Sequence, residues 1–111
     1  MSIALKSSAR VSGLKPETLF AMRVAEGVFQ DRGFKMMTVT SCTDGKHGRG
    51  SKHYIGHAFD IRTNDLTADQ IQMVAAEIRE RLGVEFDVVV EKDHIHVEFD
   101  PKDPIRTGEA A

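Results

Sequence analysis

Several features that would restrict the function of this chain are scarce in its sequence. A single cysteine, Cys42, among 111 residues excludes an internal disulfide, so the fold does not depend on oxidation. No apolar run approaches the ~20 residues of a membrane span, so we expect no membrane insertion. The 15 basic and 17 acidic residues leave a net charge of −2. We therefore expect no nucleic-acid partner, because such binding needs a basic surface.

The spacing of the apolar residues predicts two helices. One covers residues 16–32, where apolar side chains recur at every fourth position, and Gly33 ends it. The other begins after Thr67, which forms a capping box with Gln70, and it ends at Gly83.

The segments between and after these helices predict a sheet. Apolar, β-branched or alternating residues indicate strands over 34–41, 57–62, 84–90 and 94–99. This order indicates an α+β fold, a small single domain over residues 1–111 with two helices packed on a largely antiparallel sheet. We expect residues 1–13 to form an extended lead-in and residues 101–111 a flexible tail. The glycine-rich segment 42–56 is a long loop, and such loops are usually functional.

The histidines provide the strongest chemical signal. They form two clusters, one in or beside the loop and one near the end: His47, His53 and His57, then His94 and His96. Alternation along residues 94–99 places His94, His96 and Glu98 on the face opposite to the apolar side chains. Asp60 projects to the same side from the strand before the second helix. Imidazole and carboxylate ligands with an open fourth position are typical of a catalytic zinc ion.

Two separated motifs in the sequence match a known family. Residues 51–60 read SKHYIGHAFD and match the pattern SxHxxGxAxD, and residues 93–97 read DHIHV and match a later DHxH element. Together they resemble the zinc D-Ala-D-Ala carboxypeptidase family, which includes phage L-Ala–D-Glu endolysins and shares its metal-site architecture with the hedgehog signalling domain. The resemblance covers about residues 38–98. It implies a hedgehog/DD-peptidase-like fold, one zinc ion, and hydrolysis of an amide bond in peptidoglycan stem peptides.

The resemblance also implies a role for each matching residue. The zinc ligands would be His53, Asp60 and His96. Asp93 would act as the general base, and its spacing to His96 favours it over Glu91. His94 would stabilise the transition state.

Further residues are expected to support this site. Ser51 in the first motif is expected to be structural or to support the ligands, and Glu98 to orient a ligand through a hydrogen bond. The family holds a substrate carboxylate or oxyanion with an arginine upstream of the loop. No arginine of this chain stands at a matching position, and the candidates are Arg32, Arg49 and Arg62.

A second interpretation is a zinc-bearing binding module without catalysis, as in the hedgehog domain. The presence of Asp93 and His94 favours the enzyme. The motifs do not distinguish cleavage of a D-Ala-D-Ala bond from cleavage of an L-Ala–D-Glu bond, so both alternatives stay open.

The start of the chain bears on where such an enzyme would act. Residues 1–12 lack the long apolar segment of a secretory signal, so we expect synthesis in the cytoplasm. A holin or another route would then deliver the protein to the cell wall. We expect a monomer whose partner is the peptidoglycan stem peptide.

Overall fold

The structure is a computed structural model that describes residues 2–7, 9, 11, 13–42 and 57–101. Its elements, in chain order, are β1 (Ser2–Leu5), α1 (Pro16–Asp31), β2 (Met36–Ser41), β3 (Ala58–Arg62), α2 (Ala68–Leu82), β4 (Phe86–Val90) and β5 (His94–Phe99). The predicted loop from residue 43 and the predicted tail from residue 102 lie outside the described residues.

The strands form one five-stranded sheet in the order β1-β2-β3-β5-β4. β1 runs parallel to β2, and every other neighbouring pair is antiparallel. The two helices pack on one side of this sheet. The structure therefore confirms the predicted α+β fold with two helices on a largely antiparallel sheet. The sequence did not predict strand β1. Residues 1–13 were expected to be extended, without a place in the sheet.

The first residue and the apolar face of helix α1 explain why this segment is helical. Pro16 stands at the first helical position, where its missing N–H group costs no hydrogen bond. Ala21, Ala25 and Val28 are buried on one side of the helix. Gly33 follows the end with a φ of 86°, a conformation that glycine adopts without strain.

Helix α2 begins with the predicted capping box. The Thr67 hydroxyl accepts a hydrogen bond from the Gln70 backbone N–H at 3.1 Å, and the Gln70 side-chain oxygen accepts one from the Thr67 N–H at 2.8 Å. Gly83 caps the other end with a φ of 85°. Neither described helix is long and apolar enough to cross a membrane.

The helices are also joined by exposed ion pairs. Arg32 binds Glu77 at 2.8 Å, and Arg81 binds Asp31 at 2.6 Å and also contacts Glu77. The hydrogen bond from Arg81, together with that from Arg32, lowers the pKa of Glu77. These pairs keep Arg32 in the helix layer.

The alternation of the central strands separates the core from the polar residues. Phe59 and Ile61 on β3 and Ile95 and Val97 on β5 face the helices and are 0% exposed. The residues between them point to the opposite side of the sheet. We call this side the histidine face, and it carries Asp60 and Arg62 from β3 and His94, His96 and Glu98 from β5. The fold therefore places the predicted chemistry on the side away from the helices.

A candidate metal centre on the histidine face

Asp60 and His96 form the centre of the site. They are direct partners in the antiparallel register of β3 and β5, so their side chains lie side by side on the histidine face. The Oδ1 atom of Asp60 lies 2.9 Å from Nδ1 of His96. Asp60 is only 7% exposed, so this contact is held away from most of the solvent.

Glu98 contacts the other side of the His96 ring. Its Oε1 atom lies 2.7 Å from Nε2 of His96, so the imidazole stands between two carboxylates. The hydrogen bond to Asp60, and then that to Glu98, raises the pKa of His96 to about 9 against the opposing effect of burial. In the metal-free protein the ring is therefore protonated at neutral pH and donates from both nitrogens.

These atoms fit the requirements of a zinc ligand pair. Zinc bonds of about 2.0–2.1 Å in tetrahedral geometry separate two ligand atoms by about 3.3 Å. The observed 2.9 Å between Asp60 Oδ1 and His96 Nδ1 is close to that separation, so a small outward shift would admit an ion. A ligating histidine usually donates its other N–H to a carboxylate, which is the position of Glu98. His53, the third predicted ligand, lies outside the described residues.

His94 lies beside this pair and contacts both candidate bases. Its Nδ1 atom is 2.7 Å from Oδ1 of Asp93, and its Nε2 atom is 3.0 Å from Oε1 of Glu91. The same Nε2 atom is 3.7 Å from Oδ1 of Asp60. The hydrogen bond from His94 lowers the pKa of Asp93. The structure thus brings Asp93, Glu91 and His94 together, and the choice between the two bases stays a prediction.

A second group of acidic residues lies at the far end of β5. Asp87, Glu98 and Asp100 each offer a carboxylate oxygen, and these oxygens lie within 4.8 Å of one another, so the group could hold a metal ion. Sequence reasoning singled out only Glu98. The sequence contained no signal for the other two residues, because the group depends on the register that pairs Asp87 with Glu98 across β4 and β5. An all-oxygen group of this kind suits calcium, magnesium or manganese better than zinc.

The remaining predicted residues divide into three cases. Ser51 and Arg49 lie outside the described residues. Arg32 is bound to Glu77 between the helices, so it does not reach the histidine face. Arg62 lies on the histidine face, where it pairs in register with His94.

Two clefts flank the Asp60–His96 pair. The larger has a volume of about 790 Å³, and Glu91, His96 and Glu98 line it together with residues of β4 and the end of α2. The smaller has a volume of about 420 Å³, and Asp60 and Asp93 line it together with residues of β2 and β3. Each cleft therefore contains one member of the central pair and one candidate base.

Comparisons with known proteins do not identify a family. No protein-family model matches the chain, and no curated protein matches it. The resemblance to zinc peptidases therefore stays a hypothesis carried by the two motifs.

Proposed function

We propose that this chain is a zinc-dependent peptidase that hydrolyses an amide bond in peptidoglycan stem peptides. The observation that carries the proposal is the 2.9 Å contact between Asp60 Oδ1 and His96 Nδ1, with Glu98 on the opposite ring nitrogen. It supports a metal centre at two of the three ligand positions that the motifs predict. The choice of stem peptides as substrate comes from the resemblance alone.

Three residues would hold the ion: His53, Asp60 and His96. Bound zinc supplies a Lewis acid and lowers the pKa of water to about 7, so that water becomes a nucleophile near neutral pH. Glu98 accepts the Nε2–H of His96, and with zinc bound this contact would leave Nδ1 of His96 as the ligand atom. Zinc binding would displace the proton that His96 carries in the metal-free protein.

The carboxylates beside His94 are the candidates for proton transfer. The Asp93 carboxylate, whose Oδ1 lies 2.7 Å from Nδ1 of His94, would accept a proton from the attacking water. The same group then passes the proton to the departing nitrogen. His94 contacts Asp93 through Nδ1 and Glu91 through Nε2, and its Nε2–H would exchange Glu91 for the substrate oxygen that becomes negative.

The test is digestion of purified cell wall by the zinc-loaded protein. We expect new free amino groups and muropeptides whose masses show cleavage within the stem peptide. The Arg23→Gln variant, altered on an exposed side chain of α1, should match the wild type. Binding to the wall without release of amines would contradict the peptidase and favour a zinc-bearing binding module.

Two variants separate the candidate bases. Asp93→Ala should retain zinc and lose activity by about 100-fold or more, because proton transfer contributes on that order. Glu91→Ala should retain most of the activity. Wild-type hydrolysis by Asp93→Ala, combined with an inactive Glu91→Ala, would move the role of general base to Glu91.

A further inference from the structure

Strand β4 forms one edge of the sheet, because β5 is its only hydrogen-bonded neighbour in the described part of the chain. The residues on either side of β4 show which backbone groups face that neighbour. The Asp100 N–H donates to the Glu85 carbonyl at 2.7 Å, and the Glu91 N–H donates to the His94 carbonyl at 2.8 Å. The backbone groups of an antiparallel strand point alternately toward the partner and away from it. Every second residue of β4 therefore points its N–H and its carbonyl away from β5.

The outward residues are Phe86, Val88 and Val90. Arg79 supports this direction, because its Nε atom donates to the Val88 carbonyl at 2.9 Å. Within residues 2–7, 9, 11, 13–42 and 57–101, no further hydrogen bond reaches the Val88 N–H or the backbone groups of Val90. The edge therefore offers two N–H donors and the Val90 carbonyl to an added strand.

The edge lacks the features that usually keep a foreign strand away. The five residues of β4 read FDVVV, without the proline or lysine that often protects an edge, and their register with β5 has no bulge. The three valines favour an extended backbone. Arg79 covers one carbonyl and leaves the other outward groups accessible. An extended peptide can therefore enlarge the sheet by a sixth strand.

The larger cleft connects this edge to the candidate metal centre. Its volume of about 790 Å³ is bounded by β4 and the end of α2 together with Glu91, His96 and Glu98. Val84 and Val89, which are 80% and 43% exposed, add apolar surface to it. A peptide held along β4 lies in the same cleft as the proposed ligand His96. The occupant that fits this position is therefore the substrate peptide.

The charge of the cleft indicates a side chain that this peptide should carry. One basic side chain, that of Arg79, lines the cleft, against four carboxylates: Glu80, Asp87, Glu91 and Glu98. A cationic side chain complements this surface, whereas a second copy of the chain, paired through its own β4, would bring the same carboxylates together. A strand of this length also extends for only about 17 Å, a small contact beside the ~1,200 Å² that a stable interface buries.

We propose that the open edge of β4 binds an extended segment of the substrate peptide as a sixth strand, and that the carboxylates of the larger cleft select an ammonium side chain on it. This inference rests on the proposed peptidase function for the identity of the ligand. Main-chain hydrogen bonds to Val88 and Val90 supply affinity, and the carboxylates of the cleft supply specificity.

Amide hydrogen exchange tests the added strand directly. The probe is a five-residue peptide with a central lysine and blocked ends, added to the zinc-free protein so that hydrolysis does not consume it. We expect saturation with the probe to slow exchange of the Val88 and Val90 amide hydrogens by about 10-fold or more, since each gains a hydrogen bond. The Glu17 amide, in the first turn of α1, is the control and should not change. Unchanged exchange at both valines with the probe bound would overturn the proposal.

Two methylated versions of the probe test the same hydrogen bonds from the side of the peptide. One carries a methyl group on the backbone nitrogen of the lysine, and the other on that of the next residue. Only every second N–H of an added strand points toward β4, so one version should bind about 10-fold more weakly and the other nearly as well as the parent. Equal affinities of the two versions would contradict binding as a strand.

The selected charge is tested on both partners. Acetylation of the probe lysine should weaken binding by about 10-fold. Glu80→Gln and Asp87→Asn should each weaken binding of the lysine probe by about 2- to 5-fold at low salt, and less at high salt. Glu17→Gln, the charge-matched control at the exposed start of α1, should bind as the wild type does. Equal affinity for the lysine and acetyl-lysine probes would overturn the role of the carboxylates.

The remaining outcomes separate this inference from the peptidase and from a second copy. Hydrolysis of cell wall, with exchange at Val88 and Val90 unchanged by the probe, would overturn the sixth strand and leave the peptidase standing. Slower exchange with the probe, but no hydrolysis of any peptide by the zinc-loaded protein, would overturn the peptidase and keep the binding edge. Slow exchange of both amides without a probe, increasing with protein concentration, would place a second copy on the edge and overturn the peptide.

Discussion

At the scale of single residues, the site depends on the two carboxylates that enclose His96. Asp60 and Glu98 contact opposite nitrogens of one ring, and the hydrogen bond to Asp60, followed by that to Glu98, raises the pKa of His96 to about 9. The same contacts have two consequences. They retain a proton in the metal-free protein, and in the proposed metal centre they would present a ligand atom once that proton leaves.

The protonation of His96 predicts how the stability of the metal-free protein depends on pH. The folded pKa of about 9 exceeds the unfolded value of 6.5, so the folded state binds the proton more tightly. The contribution to stability is complete below about pH 6.5 and is lost as the pH rises toward 9. Urea unfolding with a chelator present should show this loss between pH 6 and pH 9.5.

The control for this pH dependence is His96→Gln, which keeps hydrogen-bonding capacity without a titrating ring. We expect its stability to change less than that of the wild type across the same pH range. An identical pH dependence in both proteins would show that His96 does not hold the proton as described.

Glu98 provides a test of where a metal binds, since it contacts the proposed ligand His96 and is also a member of the acidic group. Glu98→Gln should lower zinc affinity by about 10- to 100-fold, because it removes the carboxylate that orients His96. Asp87→Asn changes the acidic group formed with Glu98 and Asp100 and should leave zinc affinity near that of the wild type. A larger loss of affinity in Asp87→Asn than in Glu98→Gln would place the ion in the acidic group. Competition with a zinc chelator measures both.

At the scale of elements, local signals predicted most of the secondary structure and part of the site. The capping box at Thr67 and the glycine that follows each helix define helix ends without tertiary information. Alternation in β5 predicted that His94, His96 and Glu98 share a face, because side chains of a strand alternate regardless of its neighbours.

Other features depend on tertiary pairing and gave no local signal. Strand β1 has only four residues, and it is a strand because it pairs in parallel with β2. The acidic group depends on the register that sets Asp87 beside Glu98, and the sequence of either strand alone does not specify that register.

The capping box predicts a defined stability change at this scale. Thr67→Ala removes the hydroxyl that accepts the Gln70 N–H and should lower the free energy of unfolding by about 1 kcal/mol. Thr67→Ser keeps the hydroxyl and should lie within about 0.5 kcal/mol of the wild type. Denaturant unfolding measures both, and equal stability of the alanine and serine variants would contradict the cap.

At the scale of the whole molecule, the sheet separates the apolar residues that form the core from the titratable residues of the histidine face. The apolar side chains of β3 and β5 meet the helices on one face, and the titratable groups occupy the other. Changes on the histidine face should therefore alter metal binding while the core stays packed. Such a division suits a small domain, in which one core must supply most of the stability.

This division predicts the effects of two phenylalanine substitutions. Phe59 is 0% exposed between sheet and helices, so Phe59→Ala should lower the free energy of unfolding by about 3–5 kcal/mol. Phe20 is 59% exposed, so Phe20→Ala should cost less than about 1 kcal/mol. Thermal or denaturant unfolding separates them, and similar losses in both variants would contradict the placement of the core.

Zinc-edge anomalous diffraction from crystals of the zinc-loaded protein tests the central claim most directly. The account predicts one ion per chain, bonded to a carboxylate oxygen of Asp60 and to Nδ1 of His96, with His53 as a further ligand. An ion bound only by Asp87, Glu98 and Asp100, or zinc-free protein under stoichiometric loading, would contradict it.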